Sequence, residues 1–313
     1  MTSRTNQVAG AAPAAPAKSR GSAGIGRRAT VAALLFAAPA FVMYVAFVLV
    51  PLAMSVFYSL QRWDGIGKMR FVGLNNYLIV LTDADLLQVI GNAFLLAAWF
   101  TLIPVVLGLA VAAAIREHLG GPFGTATRTI LFLPQVIPLV AAGIAWSWMF
   151  ANTGLVNQAL RGIGLEAWAR GWLGDFTFAL PAVGIIGAWV LLGLCTMLLV
   201  TGITKIDPSL YEAARLDGAG AWDEFVYITL PGLRQELGVC VTVTVIAALA
   251  SFDIVYIATG GGPGIQTTVP GLEIYRLAFA HRQVGLASAL AIFLMVLVLV
   301  CVLPIQWLTR VRR

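Results

Sequence analysis

The residues of this chain predict an all-α integral membrane protein: six transmembrane helices and a cytoplasmic helix-turn-helix between spans four and five. Three observations carry that prediction. Sixty percent of the residues (60%) are hydrophobic and 11% charged, where soluble domains average about 45–50% and about 25%. The uncharged run from Ala29 to Gln61 exceeds the roughly 20 apolar residues that cross a bilayer. And one long polar segment, 204–236, interrupts an otherwise oily sequence, where connections in compact domains are short.

Residues 1–28 are rich in Ala, Gly, Pro and Ser and carry Arg4, Lys18, Arg20, Arg27 and Arg28. So little large apolar content cannot offset the entropy of ordering, and the segment reads as a disordered cytoplasmic tail. Ala38-Pro39-Ala40 loosely resembles a signal cleavage site. The apolar run continues through Leu60, far beyond a signal h-region of roughly 7–15 residues, so an uncleaved first span is expected. The membrane domain is then 29–313.

Hydropathy places the spans near 32–60, 92–115, 129–150, 179–203, 237–258 and 286–308. The first carries Pro39 and Pro51 and is longer than a bilayer requires, an excess that tilt absorbs. With the N-terminus inside, thirteen Lys/Arg fall on inner segments, including Arg116, Arg128, Lys205, Arg215, Arg234, Arg310, Arg312 and Arg313. Seven fall outside: Arg62, Lys68, Arg70, Arg161, Arg170, Arg276 and Arg282. That bias puts both termini on the cytoplasmic side of a multi-pass membrane protein; the resemblance given below implies that the membrane is the bacterial cytoplasmic (inner) membrane. The net charge of +6 then serves orientation and lipid contact, and no aromatic-interleaved basic stretch points to nucleic acid.

Cys195, Cys240 and Cys301 lie far apart inside apolar runs without metal-ligand spacing, as lipid-facing or core residues do. His118 and His281 fall in loops. No metal motif, Cys/His cluster or pair of buried carboxylates suggests an intramembrane enzyme. An ion-coupled secondary transporter for small polar solutes stays open on composition. Such proteins carry ionisable groups at mid-membrane, yet only Asp253 comes near that position.

Segment 204–236 breaks into two short helices. Asp207 suits an N-cap and Pro208 the first turn. Gly218 suits the left-handed position that closes the helix. A second amphipathic stretch follows from Trp222 to Leu230, and Pro231 ends it. Asp207, Glu212, Asp217, Asp223 and Glu224 would be repelled by an anionic leaflet, which favours docking on a soluble partner over lying on lipid.

Glu212-Ala213-Ala214, three residues, Gly218, nine residues, then Ile228-Thr229-Leu230-Pro231 resembles the EAA loop of binding-protein-dependent ABC importer permeases. The likeness extends over roughly 70–310 and is closest to the carbohydrate-uptake branch, the relatives of maltose and glycerol-phosphate permeases. Phe71 to Tyr77, Phe132-Leu133-Pro134 with Ile137-Pro138, Phe252-Asp253 and Thr259-Gly260-Gly261-Gly262-Pro263 add to it. The resemblance implies that Glu212, Ala213, Ala214, Asp217, Gly218, Ile228, Leu230 and Pro231 form an ATPase-coupling loop. It also implies a second permease subunit, two ATPase subunits and an extracytoplasmic solute-binding protein. No cofactor is expected on this chain. It has no G-x-x-x-x-G-K-[ST], the loop that cradles nucleotide phosphates, so ATP and Mg are expected on the partner ATPases. Asn92, Trp146, Ser251, Asp253 and Tyr256 are candidates for the substrate path: a sugar needs hydroxyl, amide, carboxylate and aromatic partners. Thr242, Thr244, Trp148 and Trp189 share those residue types.

Overall fold

The computed structural model describes residues 27–116 and 121–309, with side chains from residue 35 onward. The tail before Arg27, His118 and the closing Arg310, Arg312 and Arg313 lie outside the described residues. The chain divides into two units, residues 1–52 and 53–313.

The first unit holds α1 (Arg27–Tyr44) and a π turn (Val45–Leu49). From residue 35 on, its side chains are mostly exposed, Phe36, Phe41 and Phe47 among them, as suits hydrocarbon or another apolar surface. Helix α2 (Val50–Ser59) follows. The π turn lies just ahead of Pro51. A proline ring clashes with the carbonyl four residues back, here Phe47, and the wider π turn gives that carbonyl room.

The second unit opens with the two-stranded ribbon β1 (Gln61–Arg62) and β2 (Arg70–Phe71), then α3 (Asn75–Thr82). Helix α4 (Ala84–Ala114) is capped by Asp83, whose carboxylate accepts from the N–H groups of Asp85 and Leu86. It packs along α8 (Ala179–Ile203). The approach is close because α8 offers glycine: a Cβ on Gly187 would sit 1.9 Å from the Phe100 ring, and small residues are how membrane helices gain contact without a hydrophobic drive.

Among the described residues, four helices are long and apolar enough to cross a membrane: Leu35–Ser59, Ala84–Ala114, Ala179–Ile203 and Val284–Thr309. Two further spans are bent helix pairs, which brings the total to the expected six. The third, expected over 129–150, is α5 (Pro122–Val136) and α6 (Leu139–Met149) at 99° to each other. Pro138 lacks an N–H and forces Ile137 to extended backbone (ψ 129), so the helix cannot continue. Short α7 (Leu155–Gly162) follows on the far side of α6.

The fifth, expected over 237–258, is α12 (Arg234–Leu249). It stops at Ala250, and a separate α13 (Asp253–Ala258) begins three residues on. Helix α14 (Pro270–Tyr275) and a π turn (Arg276–Ala280) lead to the last span, α15 (Val284–Thr309). Two buried groups, around Phe100, Val183 and Ile186 and around Leu199, Leu233 and Cys240, line up along α8, the most enclosed of the spans. Cys195 and Cys240 are buried there, and Cys301 is half-buried.

Candidate functional site: the polar loop and the cavity beneath the broken span

The polar loop begins with α9 (Pro208–Leu216). Asp207 caps it by accepting the Ser209 N–H at 2.9 Å, and the carboxyl lies below its usual range because of that bond. Gly218, at φ +84°, closes it: its N–H donates to the Arg215 carbonyl and the Ala219 N–H to that of Ala214. That pair of bonds is the Schellman ending, and it needs a left-handed residue at this position.

The second arm is α10 (Ala221–Glu224), a π turn (Phe225–Thr229) and α11 (Leu230–Gly232). Pro231 was expected to end this arm. The arm instead runs through Pro231 and turns at Leu233, by 68°, into α12. As with Pro51, a π turn directly precedes the proline and accommodates its ring. Residues 221–232 therefore belong to the loop, and the span proper starts at Arg234.

The inner face of the loop is held by a charged cluster. Glu224 is buried, and its carboxylate meets two guanidiniums: Arg215 Nε at 2.6 Å and Arg116 Nη2 at 2.7 Å. Arg215, then Arg116, hold the Glu224 carboxyl below the usual carboxylate range against the opposing effect of desolvation. The Arg116 guanidinium also lies 3.9 Å from the centre of the Tyr211 ring, and the Tyr211 hydroxyl bonds Thr229 at 3.0 Å. Arg116 follows the end of α4, so this cluster joins both arms of the loop to a membrane span.

The outer face presents the residues of the sequence motif. Glu212, Ala213, Asp217, Gly218, Leu230 and Pro231 are exposed, while Ala214 and Ile228 are half-buried. Glu212 makes no ion pair among the described residues. Around it Leu210, Leu216, Trp222 and Tyr227 stand out at 53%, 89%, 74% and 76% exposure. An exposed apolar patch of this kind on a structured loop marks an interaction surface.

A cavity of about 560 Å³ opens where the third span breaks. Gln135, Ile137 and Pro138 of the break, Gly187 to Leu194 of α8, Phe100 of α4 and Val243 to Asp253 line it. Ser251 and Asp253, named from the sequence, are among the lining residues. Asn92, Trp146 and Tyr256 are not.

Asn92 is buried and donates its amide to the carbonyls of Ile265 and Thr268, at 3.0 and 2.9 Å, pinning the glycine-rich loop before α14. Trp146 packs on Phe150 and Trp189. Tyr256 stacks on Phe252 at 5.2 Å and 12°. Thr242 and Thr244 are buried in α12, and Thr244 bonds Thr101 across to α4 at 2.9 Å. Trp148 is exposed. Gln135 was not anticipated. Its Oε1 is buried without a hydrogen-bond partner among the described residues, and its position between Pro134 and Pro138 in an apolar run was the available signal. Arg116 gave no such signal, since 108 positions separate it from Glu224.

The comparisons with known proteins agree with this geometry. Residues 104–311 match the family described as "Binding-protein-dependent transport system inner membrane component". A probable ABC transporter permease protein of Bacillus subtilis, YurN, is 36% identical over 267 residues, covering 85% of this chain and 91% of its own. The diacetylchitobiose uptake system permease protein NgcF of Streptomyces coelicolor is 34% identical over 271 residues, 82% of this chain and 76% of that one. A bacterial alginate ABC transporter has the same fold at a TM-score of 0.76 and 24% identity, over 91% of this chain and 96% of that one. The ion-coupled transporter left open by composition finds no support among them. With the loop, the broken spans and these likenesses in agreement, the chain belongs to the binding-protein-dependent transport system inner membrane components, the permease subunits of ABC importers.

Proposed function

We propose that this permease imports a carbohydrate or a related polyol or glycoside, pairing with a second, related permease subunit and two separate ATPase subunits. A solute-binding protein delivers the cargo from outside. The observation that carries this reading is the loop itself: an exposed motif face around Glu212, backed by the buried Glu224 cluster that fastens it to α4. The face is the seat for an ATPase subunit, and ATP and Mg reside on that partner, since the sequence carries no phosphate-binding loop. The thirteen-to-seven distribution of Lys/Arg supports a cytoplasmic loop and cytoplasmic termini.

The substrate class rests on the motifs shared with the carbohydrate-uptake branch and on relatives such as the diacetylchitobiose permease. The cavity at the broken third span is the proposed path. Its volume lies within the roughly 300–1,000 Å³ of small-molecule sites, whose few polar groups set specificity. Here those groups are Gln135, Ser251 and Asp253, together with carbonyls freed at the break. Transport proceeds by alternating access: ATP closes the partner ATPases, the loop moves with them, and the spans open toward the binding protein. Hydrolysis reverses the motion.

Reconstitution with the partner subunits tests this. Glu212→Ala and Gly218→Val are expected to uncouple uptake from ATP hydrolysis while the protein still inserts. Normal uptake by both variants refutes the docking role. A thermal-shift screen of the binding protein against carbohydrates identifies the cargo, and a response only to non-carbohydrates refutes the substrate class.

A further inference from the structure

At the opposite end of the molecule, the β1–β2 ribbon and the start of α15 enclose a second cavity, of about 540 Å³. Its position across the membrane follows from α15. The C-terminal end of that helix touches the loop region, where Arg234 donates to the Leu308 carbonyl at 2.5 Å. Val284, its first residue, is about 36 Å from Leu308 at 1.5 Å per residue. The cavity is therefore at the membrane boundary opposite the polar loop, where α2 ends and α15 begins.

Arg62, Lys68, Arg70 and Arg282 all line this cavity, with Asp64 as the one carboxylate. None of the four cations makes an ion pair within 4.0 Å among the described residues, and Arg282 alone acts at longer range on the Asp64 carboxylate. Asp64 is committed to its own turn, where one carboxylate oxygen accepts the N–H groups of Ile66 at 3.0 Å and Gly67 at 2.7 Å.

The walls are fixed before any ligand arrives. The Asn76 amide donates to the Ser59 and Gln61 carbonyls at 2.8 and 2.9 Å. Gly285 lies so close to the ribbon that a Cβ would stand 1.9 Å from the Gln61 oxygen. Arg282 is held at φ +54°, the one non-glycine residue with positive φ among those described, by the Gln283 N–H bonding the Leu277 carbonyl at 2.7 Å. Side-chain-bearing residues rarely keep that backbone unless the surroundings impose it. Beside the cations, Ile66 and Phe71 are 81% and 69% exposed, and Met69, Leu74 and Leu78 are also exposed. Unpaired cations next to exposed apolar side chains at a membrane boundary suit a molecule with an anionic head and an apolar tail.

We propose that this cavity seats the phosphate headgroup of an anionic phospholipid from the leaflet opposite the polar loop. Binding is independent of the cargo, so it stands or falls apart from the substrate class.

The test uses the full-length protein co-purified with its partner subunits, in bilayers of phosphatidylcholine with a minority of phosphatidylglycerol. Lipids that stay bound on gentle extraction are counted by mass spectrometry. Phosphatidylglycerol is expected to be enriched on the unsubstituted protein. The triple variant R62Q/R70Q/R282Q is expected to lose that enrichment, by about fivefold in affinity per cation removed. R62K/R70K/R282K keeps it, which separates lost charge from a misfolded ribbon.

Equal enrichment in the glutamine variant overturns the proposal. So does displacement of the lipid by millimolar inorganic phosphate alone, which marks a free-anion site. A glutamine variant that keeps its phosphatidylglycerol and loses affinity for the solute-binding protein also overturns it, and identifies the surface as a protein dock.

Discussion

Arg116 Nη2 lies 2.7 Å from Glu224 Oε2, joining the residue just beyond the second span to a carboxylate in the middle of the polar loop. This bond, with the Arg215 bond on the other oxygen, makes the loop and α4 one mechanical body. Glu224 is 4% exposed, covered by its arginines and Tyr211 more than by depth. Removing its charge takes one ion-pair partner from each of two guanidiniums. Glu224→Gln should cost about 1–3 kcal/mol locally, between the values for surface and buried pairs. Hydrogen exchange over residues 208–232 measures it. Unchanged protection there would show that the cluster does not hold the loop.

The same cluster should respond to acid. The Glu224 carboxyl is held below its ordinary value of 4.5, first by Arg215 and then by Arg116. A depressed carboxylate contributes stability above its unfolded pKa, and that stability is lost as pH falls through the folded value. Loop protection, corrected for the intrinsic exchange rate, should hold steady from neutral pH to about 5 and fall below the ordinary glutamate range. In Glu224→Gln that acid step should vanish.

Gly218 offers a graded test of the loop's shape. At φ +84° an added Cβ meets nothing within 4 Å, so a substitution is penalised by backbone conformation alone. Alanine should cost about 1–2 kcal/mol and asparagine less. Coupling of uptake to ATP hydrolysis should fall in the order Gly, Asn, Ala, Val. Equal coupling in Asn and Val variants would mean that the turn's conformation is unimportant.

Two polar residues inside the membrane should behave oppositely. Asp253 faces the cavity, so Asp253→Leu should lower uptake up to about tenfold, the worth of a hydrogen bond or two, with ATP hydrolysis preserved. Asn92 instead ties α4 to the Ile265 and Thr268 carbonyls. Asn92→Ala strands them and should cost about 1–3 kcal/mol in thermal stability, with cargo preference unaltered. Reversed outcomes would exchange the roles assigned to the two residues.

Much of this was legible along the chain, because hydropathy and local backbone chemistry are written in short windows. The fourth span, 179–203, coincides with α8. The Asp207 cap and the Gly218 closure fall where their residue types put them. The breaks in spans three and five were not legible. Pro134 continues a helix while Pro138 stops one, and residue type alone does not distinguish them. Pro231 misled for the same reason, since a π turn absorbed it. Path residues divided by geometry that no window contains: Ser251 and Asp253 reached the cavity, while Asn92 was spent on a loop.

Phe100, midway along α4, lines the cavity at the broken third span, and Arg116 stands just past the C-terminal end of the same helix. Sixteen residues separate them in sequence, and the helix carries most of that distance as a rod of about 21 Å between Phe100 and Ala114. On the coupling mechanism proposed above, the stroke that reaches the cavity would be set by the length of this helix, with no reference to what fills the cavity. On that reading a change of diet would need only new side chains around Gln135, Ser251 and Asp253. The engine at the other end can be inherited intact.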